Sequence, residues 1–379
     1  MDESRDDRLT VELLPARHGD AILLTWGGAA ERHRMLVDAG PAWAYKDVSA
    51  RMREVAAEGK LDLLVLTHVD ADHVEGTIKL VNDADLPLQI DQVWHNSWDQ
   101  LGDYLDAVHG EILSAIIKRR GIDWNKAFGG DAVVAPPDAP LPVDKLPGGL
   151  RLTLLAPAPE ELNRLAEVWV ETCREEGLDL QTLESEEGAL AAFAKRSRRL
   201  HTPGDEWLGP EELDPDQLAA DRTGTDRSVA NASSIVLLAE YKGVRVLLAG
   251  DATPGELIPA VRRLIAERGD GADVFPLDAF KLPHHGSQNN LTAELIGLLP
   301  ARHYLVSSNG SYFGHPDAPA IATVVKGAPD GAELVFNYDT EFTKPWDDEC
   351  LRSRFGYRTR YRGDGELSIE VAMTSEPVA

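Results

Sequence analysis

Two histidines and two aspartates fall within six positions, His68-Val69-Asp70-Ala71-Asp72-His73, directly after the apolar run Leu63-Leu64-Val65-Leu66. Desolvated groups of this kind are costly unless something pairs them. A divalent cation is the partner that suits imidazole and carboxylate together. A solvated, Asp-rich helix start is the plainer explanation, because Asp caps helices well. Three further positions weigh against it: Asp38, Asp251 and the His284-His285 pair, each also just past an apolar run. In a sheet-based fold such strand ends gather on one edge, where loops build sites. In an extended segment His68 and Asp70 project the same way. Asp72 and His73 sit where the chain turns toward a helix and address a second position. Asp251 is then a natural bridging carboxylate. Paired divalent ions about 3.5–4 Å apart activate water at neutral pH and clamp a phosphoryl or carbonyl oxygen.

The elements that must position these groups read as follows. Residues 9–27 give two short strands around an Arg17-His18-Gly19-Asp20 turn, in which Asp20 is a turn residue. Residues 34–40 give a strand ending at Asp38, and Val48–Gly59 a helix. The strand Leu61–Thr67 leads into the His/Asp run, and a helix starts near Val74. Ile90–Trp94 is a short strand ending at His95. Tyr104–Arg120, Glu161–Leu180 and Glu187–Leu200 have helical periodicity, with a strand at Arg151–Ala156. His201–Thr225 reads as a loop. Residues 231–251 form a hairpin around Lys242-Gly243. A helix at Pro254–Glu267, a strand at Val274–Leu282, a helix at Thr292–Leu299 and a strand at His303–Ser307 follow. The end is β-rich, at Glu333–Phe336, Gly356–Arg362 and Leu367–Met373. The domain reading is a first half at 1–98, a mostly helical acidic insertion at 99–226 and a second half at 227–379.

The chain has 379 residues and a formal charge of −26, from 38 Lys and Arg against 64 Asp and Glu. That surface repels polyanions at long range, which excludes a non-specific nucleic-acid coat. It does not exclude a nuclease, because bound cations dominate within a Debye length of roughly 8 Å. No run of about 18 apolar residues suggests a membrane span. The two cysteines, Cys173 and Cys350, fit a reducing compartment, and the reading is cytoplasmic.

These motifs resemble the metallo-β-lactamase-fold hydrolases, whose signature is HxHxDH after a strand with a later Asp and a later His on other strand ends. The nearer resemblance is to the ComEC-like branch, which reads HxDxDH, here without that branch's membrane domain. HGDAILLTW, LVDAG, NASSIVLLAEYKGVRVLLAGD, KLPHHGS and the GHP of Gly314-His315-Pro316 continue it. The resemblance covers about 9–95 and 228–325. It implies an α/β fold, an αββα sandwich, with a two-metal site. It implies that His68, Asp70 and Asp251 serve one ion, and Asp72, His73, Asp251 and one of His284 or His285 the other. Asp38 orders the metal loop by hydrogen bonds. The expected ions are zinc or manganese. Asp70 replaces an imidazole with a harder oxygen, which shifts preference toward Mn²⁺ or Mg²⁺. Glu75 replaces a usual Gly and is expected to narrow the mouth. Asp72 and His315 are the candidates for work at the reacting atoms. His18, His95 and Asn231 are candidates for the site edge, each also readable as a buried or capping residue.

Arg358 and Arg360, within RSRFGYRTRYR, are candidate substrate contacts. In a strand they line one face with Arg362, and Tyr357 and Tyr361 line the other. Guanidinium rows suit phosphates and aromatic faces suit bases. Ion pairs with the protein's own carboxylates are the plainer role. The resulting reading is a metal-dependent phosphodiesterase or nuclease. One alternative is a hydrolase of a small ester, lactone or amide, lidded by the insertion with Trp124, Trp169 or Trp207. Another is a metal-binding partner of a second protein, docked through the acidic insertion.

Overall fold

A computed structural model describes residues 7–97, 108–175, 213–220 and 224–373. The strands are β1 (Leu9–Leu13), β2 (Ile22–Trp26), β3 (His33–Val37), β4 (Lys60–Leu61), β5 (Leu63–Val65), β6 (Gln89–Ile90), β7 (Gln92–Trp94), β8 (Asp123–Trp124), β9 (Val143–Lys145) and β10 (Arg151–Ala156). They continue with β11 (Val236–Tyr241), β12 (Val244–Leu248), β13 (Leu277–Lys281), β14 (Ala301–Val306), β15 (Glu333–Phe336), β16 (Arg358–Tyr361) and β17 (Ile369–Met373). The helices are α1 (Tyr45–Glu58), α2 (Ala71–Asn82), α3 (Val108–Arg120), α4 (Pro159–Glu175), α5 (Pro215–Ala220), α6 (Val229–Ala232), α7 (Pro254–Arg268), α8 (Ala293–Leu298), α9 (Ala318–Gly327) and α10 (Glu349–Phe355).

Side-chain alternation sorts the strands into layers. Ile22, Leu24 and Trp26 of β2, Met35 and Val37 of β3, and Leu63 and Val65 of β5 all enter the core between the sheets. Their neighbours Leu23, Leu36 and Leu64 enter a second core with Val48, Met52 and Val55 of α1 and Ile78 and Val81 of α2. One sheet runs β17-β1-β2-β3-β5-β7-β8 and the other β16-β15-β14-β13-β12-β11-β10-β9. Helices α7, α8 and α9 bury Leu257, Val261, Leu295, Ile321 and Val325 against the second sheet. The result is an αββα sandwich. β3, β5, β7 and β8 run parallel, as do β12 to β16, so the loops after them share an edge. Among the described residues no helix is long and apolar enough to cross a membrane.

Three readings of the sequence change. The strand expected over Leu61–Thr67 is divided, with β4 pairing β6 in a separate ribbon and β5 entering the first sheet. The helix expected from Val74 begins at Ala71, with Asp70 extended at its N-cap, φ −66° and ψ 146°. Asp72 and His73 therefore lie in its first turn. The stretch set aside as a helical insertion supplies β8 to the first sheet and β9 and β10 to the second. Residues 187–200 of that stretch lie outside the described residues. The strand expected over Gly356–Arg362 is present as Arg358–Tyr361, with Arg352–Phe355 before it helical in α10.

Where α4 meets the start of α7, the Glu256 carboxyl stands beside Glu161. Burial, then the charge and hydrogen bond of Glu161, push the Glu256 carboxyl up from 4.5 to about 7. Between those values the folded chain holds more protons than the unfolded one, so stability falls as pH rises. Glu256→Gln removes that term. Its melting temperature is expected to exceed the parent's at pH 8, with the gap closing toward pH 5. Parallel curves for the two proteins between pH 5 and 8 would refute the raised Glu256 carboxyl.

Candidate metal centre

The residues beyond β3, β5, β12 and β13 close on one another where the sheets meet. Ile235 N–H donates to Thr67 O at 2.9 Å and His284 N–H to Gly250 O at 3.0 Å, which stitches the loops together. The Arg17–Asp20 turn lies against the His/Asp loop so closely that a Cβ on Gly19 would stand 1.9 Å from Asp72 O. Asp38, His284 and His285 adopt left-handed backbone, with φ of 57°, 46° and 55°. Such conformations cost about 1–3 kcal/mol each outside glycine and gather at functional sites.

Asp251 is the hub. Its Oδ2 lies 3.3 Å from His73 Nε2, 3.6 Å from His285 Nε2, and 3.8 Å from both His68 Nε2 and His284 Nε2. Asp72 Oδ2 is 3.2 Å from His285 Nε2 and 3.9 Å from His73 Nε2. Asp70 Oδ2 is 3.7 Å from His68 Nε2, and its side chain is half-exposed at the mouth. Among the described residues, one group able to hold an ion is His68, His73 and Asp251, and another is Asp72, His73 and His285.

Each imidazole is held by its other nitrogen. His73 Nδ1 pairs with Asp38 Oδ2 at 2.8 Å. His68 Nδ1 meets Thr67 Oγ1 at 3.0 Å, and that hydroxyl donates to Asp38 at 2.7 Å. His285 Nδ1 pairs with Asp20 Oδ1 at 3.0 Å. His284 Nδ1 pairs with Asn290 Oδ1 at 3.0 Å and lies 3.4 Å from Asp226 Oδ2. Outer partners of this kind fix the tautomer and aim Nε2 inward. His68 Nε2, His73 Nε2 and Asp251 Oδ1 are then buried without a hydrogen-bond partner. Orphaned buried acceptors are expensive, and a cation among them satisfies all three, so these residues fit divalent ions.

The electrostatics agree. Burial opposes every charge here, yet His285, His73 and His284 hold the Asp251 carboxyl well below the usual range. Against the same burial, Asp251, Asp38 and Asp72 raise His73, and Asp251 and Asp20 raise His285. Asp251 and Asp226 bring His284 to about 9. Binding an ion to these imidazoles therefore displaces protons.

Asp20 was read as a turn residue, but the structure gives it a larger role. It is buried, accepts from Ser307 Oγ and His285 Nδ1, and pairs with Lys281 Nζ at 2.7 Å. Its oxygens are thereby occupied, which makes it a holder of His285. A lysine inside the apolar strand of residues 274–282 was the available signal. Asp226 and Asn290, which brace His284, carried no comparable signal. Glu75 is buried, and its Oε2 accepts from Ala42 N at 3.0 Å, beside Trp43. His18 lies beside the centre among Trp43, Tyr312 and Phe313. His315 borders His284 at 5.2 Å between rings, with Nδ1 2.9 Å from Asp317 Oδ1. Asn231 Nδ2 donates to Asp226 at 2.7 Å. His95 is buried against Trp124 and is not in the His/Asp groups.

Arg358 and Arg360 are not brought to the centre. Arg358 donates to Gly331 O, and Arg360 pairs with Glu333 at 3.1 Å and donates to Glu370 O. Residue 360 sits three strands across from Lys281 in register, roughly 14 Å at the usual inter-strand spacing. Tyr357 is buried and Tyr361 stacks on Phe336. The side chain of Trp169 and the whole of Trp207 lie outside the described residues.

The sequence model of the Metallo-beta-lactamase superfamily matches residues 14–160, which runs through β8, β9 and β10. No curated protein matches the chain in sequence. Among solved structures, the metallo-beta-lactamase fold protein YhfI from Bacillus subtilis is 10% identical, covers 97% of this chain and 100% of its own, and has a TM-score of 0.40. A protein from Parabacteroides distasonis ATCC 8503 is 12% identical over 96% of each chain, with a TM-score of 0.36. A metallo-beta-lactamase from Staphylococcus aureus subsp. aureus COL is 13% identical over 93% of this chain and 99% of its own, with a TM-score of 0.31. The two-sheet sandwich with the His/Asp edge is the metallo-β-lactamase fold, and residues 14–160 are similar in sequence to that superfamily, whose members are generally metal-dependent hydrolases.

Proposed function

We propose that the chain is a two-metal phosphodiesterase of the ComEC-like kind, working in the cytoplasm. The observation that supports it most is the oxygen-rich donor set. Asp70, Asp72 and Asp251 stand with His68, His73 and His285 around one buried centre. Such a set suits Mn²⁺ or Zn²⁺. His68, Asp70 and Asp251 would hold one ion, and Asp72, His73, His285 and Asp251 the other. Divalent ions supply acidified water as nucleophile and neutralise charge on a phosphoryl oxygen. The chain's own residues do the rest. Asp38, Thr67 and Asp20 keep the imidazoles aimed inward. His315, pinned by Asp317 and beside His284, is placed to give a proton to the departing oxygen.

The engagement of Arg358 and Arg360 by the protein itself favours a second reading, a small ester, lactone or amide as substrate. One experiment separates them. Metal-stripped protein is offered bis-p-nitrophenyl phosphate and p-nitrophenyl acetate, with Mn²⁺, Mg²⁺ or Zn²⁺ restored in turn. Ion-dependent hydrolysis of the phosphodiester is expected. Hydrolysis of the acetate alone would move the assignment to carbonyl substrates.

A further inference from the structure

Among the described residues five large apolar side chains stand exposed, and three of them, Trp43, Tyr312 and Phe313, share one lip of the metal centre. Their exposures are 44%, 38% and 48%. The ring of His18 joins them, 5.5 Å from Trp43, stacked at 5.1 Å on Tyr312 and edge-on at 5.9 Å to Phe313. Phe313 lies 6.5 Å from the ring of His284, whose Nε2 is 3.8 Å from Asp251. The lip is thus continuous with the cation-holding groups. Single exposed apolar residues are ordinary, but a contiguous group beside a site marks a binding surface. Its supports are built in. Glu75 holds the turn before Trp43 through Ala42 N. Phe342 packs on the loop before Tyr312 so closely that a Cβ on Gly310 would stand 2.2 Å from its ring.

We propose that this lip is a stacking subsite for a planar heteroaromatic ring, so that the substrate is a nucleotide-sized phosphodiester with a base beside the scissile bond. The proposal rests on the phosphodiesterase reading. Aromatic faces bind bases of any sequence through their π-faces. A long polyanion is disfavoured by the net charge of −26 and by the engagement of Arg358 and Arg360 within the protein. Arg17 lies over Trp43 at 5.7 Å and pairs with Asp47. Ring contact is therefore what this face offers.

The test compares thymidine 5′-(p-nitrophenyl phosphate) with methyl p-nitrophenyl phosphate, for the parent and for Phe313→Leu and Tyr312→Leu. The thymidine ester is expected to show a KM roughly tenfold lower in the parent. The variants raise that KM toward the methyl ester's, with kcat and methyl-ester turnover unchanged. Calorimetry with thymidine 5′-monophosphate and deoxyribose 5-phosphate gives a readout independent of turnover. Tighter binding of the nucleotide, lost in the variants, is expected. Turnover of both esters with no preference overturns the lip and leaves the phosphodiesterase reading standing. Turnover of neither ester removes that reading, and calorimetry then decides the lip, equal affinities overturning it. Thermal melts matching the parent show that the exposed substitutions leave the fold intact.

Discussion

Asp251→Ala protein, stripped and reloaded, is expected to hold one divalent ion at most where the parent holds two. Turnover of bis-p-nitrophenyl phosphate falls with it. Asp251 is the one carboxylate whose oxygen approaches all four imidazole Nε2 atoms, between 3.3 and 3.8 Å. Under the two-ion assignment its removal takes a ligand from both positions. Loss of several kcal/mol of charge stabilisation is on the order of a thousandfold in rate. Asp251→Asn keeps the volume and removes the charge, so it separates a ligand effect from a packing defect. Both variants are read by metal content after dialysis and by initial rates. Ion uptake by the parent near pH 7 is expected to release protons, because the carboxylates around them raise His73 and His285 and so favour their protonated forms. Two bound ions and full rate in Asp251→Asn would show that the hub is structural only.

The parts of this centre legible in the sequence are those that lie at strand ends. His68–His73, Asp251 and His284-His285 stood out because an apolar run stops and a chelating group follows, a local pattern. Of the holders, Asp38 stood out for the same reason, as a strand-end residue, and Asp20, Asp226 and Asn290 did not. Asp20 meets His285 across 265 positions of chain, and no local period reports such a meeting. The short strands were invisible for a related reason. β8 has two residues and β9 three, too few to show alternation, and their place is fixed by pairing with β7 and β10. The arginine row takes the plainer of its two expected roles. Its alternation was real, but Glu333 and the carbonyls of Gly331 and Glu370 claim it. A strand pattern states which residues share a face and not what that face meets.

Asp20 and Lys281 form a fully buried ion pair at 2.7 Å, and its removal carries the largest expected effect on stability. Asp20→Asn leaves the ammonium without a counter-charge, a change that costs about 3–5 kcal/mol when one partner of a buried pair is lost. Lys281→Met costs less, because Asp20 keeps the Ser307 hydroxyl and the Nδ1–H of His285. The double variant Asp20→Asn with Lys281→Met recovers most of the loss, since an uncharged buried pair is often no worse than an ionic one. Burial opposes the Asp20 charge, but Lys281 and His285 pull its carboxyl far below the ordinary range. Its contribution is therefore whole above that range and is lost progressively as pH falls below it. Denaturant melts at pH 7 and pH 3 read this term, and the parent's advantage over the double variant shrinks at the lower pH. Metal affinity follows a different course. With Asp20 neutral, His285 loses the carboxylate that orients it, and affinity falls about 10–100-fold even in the double variant whose stability has returned. Recovery of both properties together would make Asp20 a partner of Lys281 alone, and recovery of stability without affinity makes it the holder of His285.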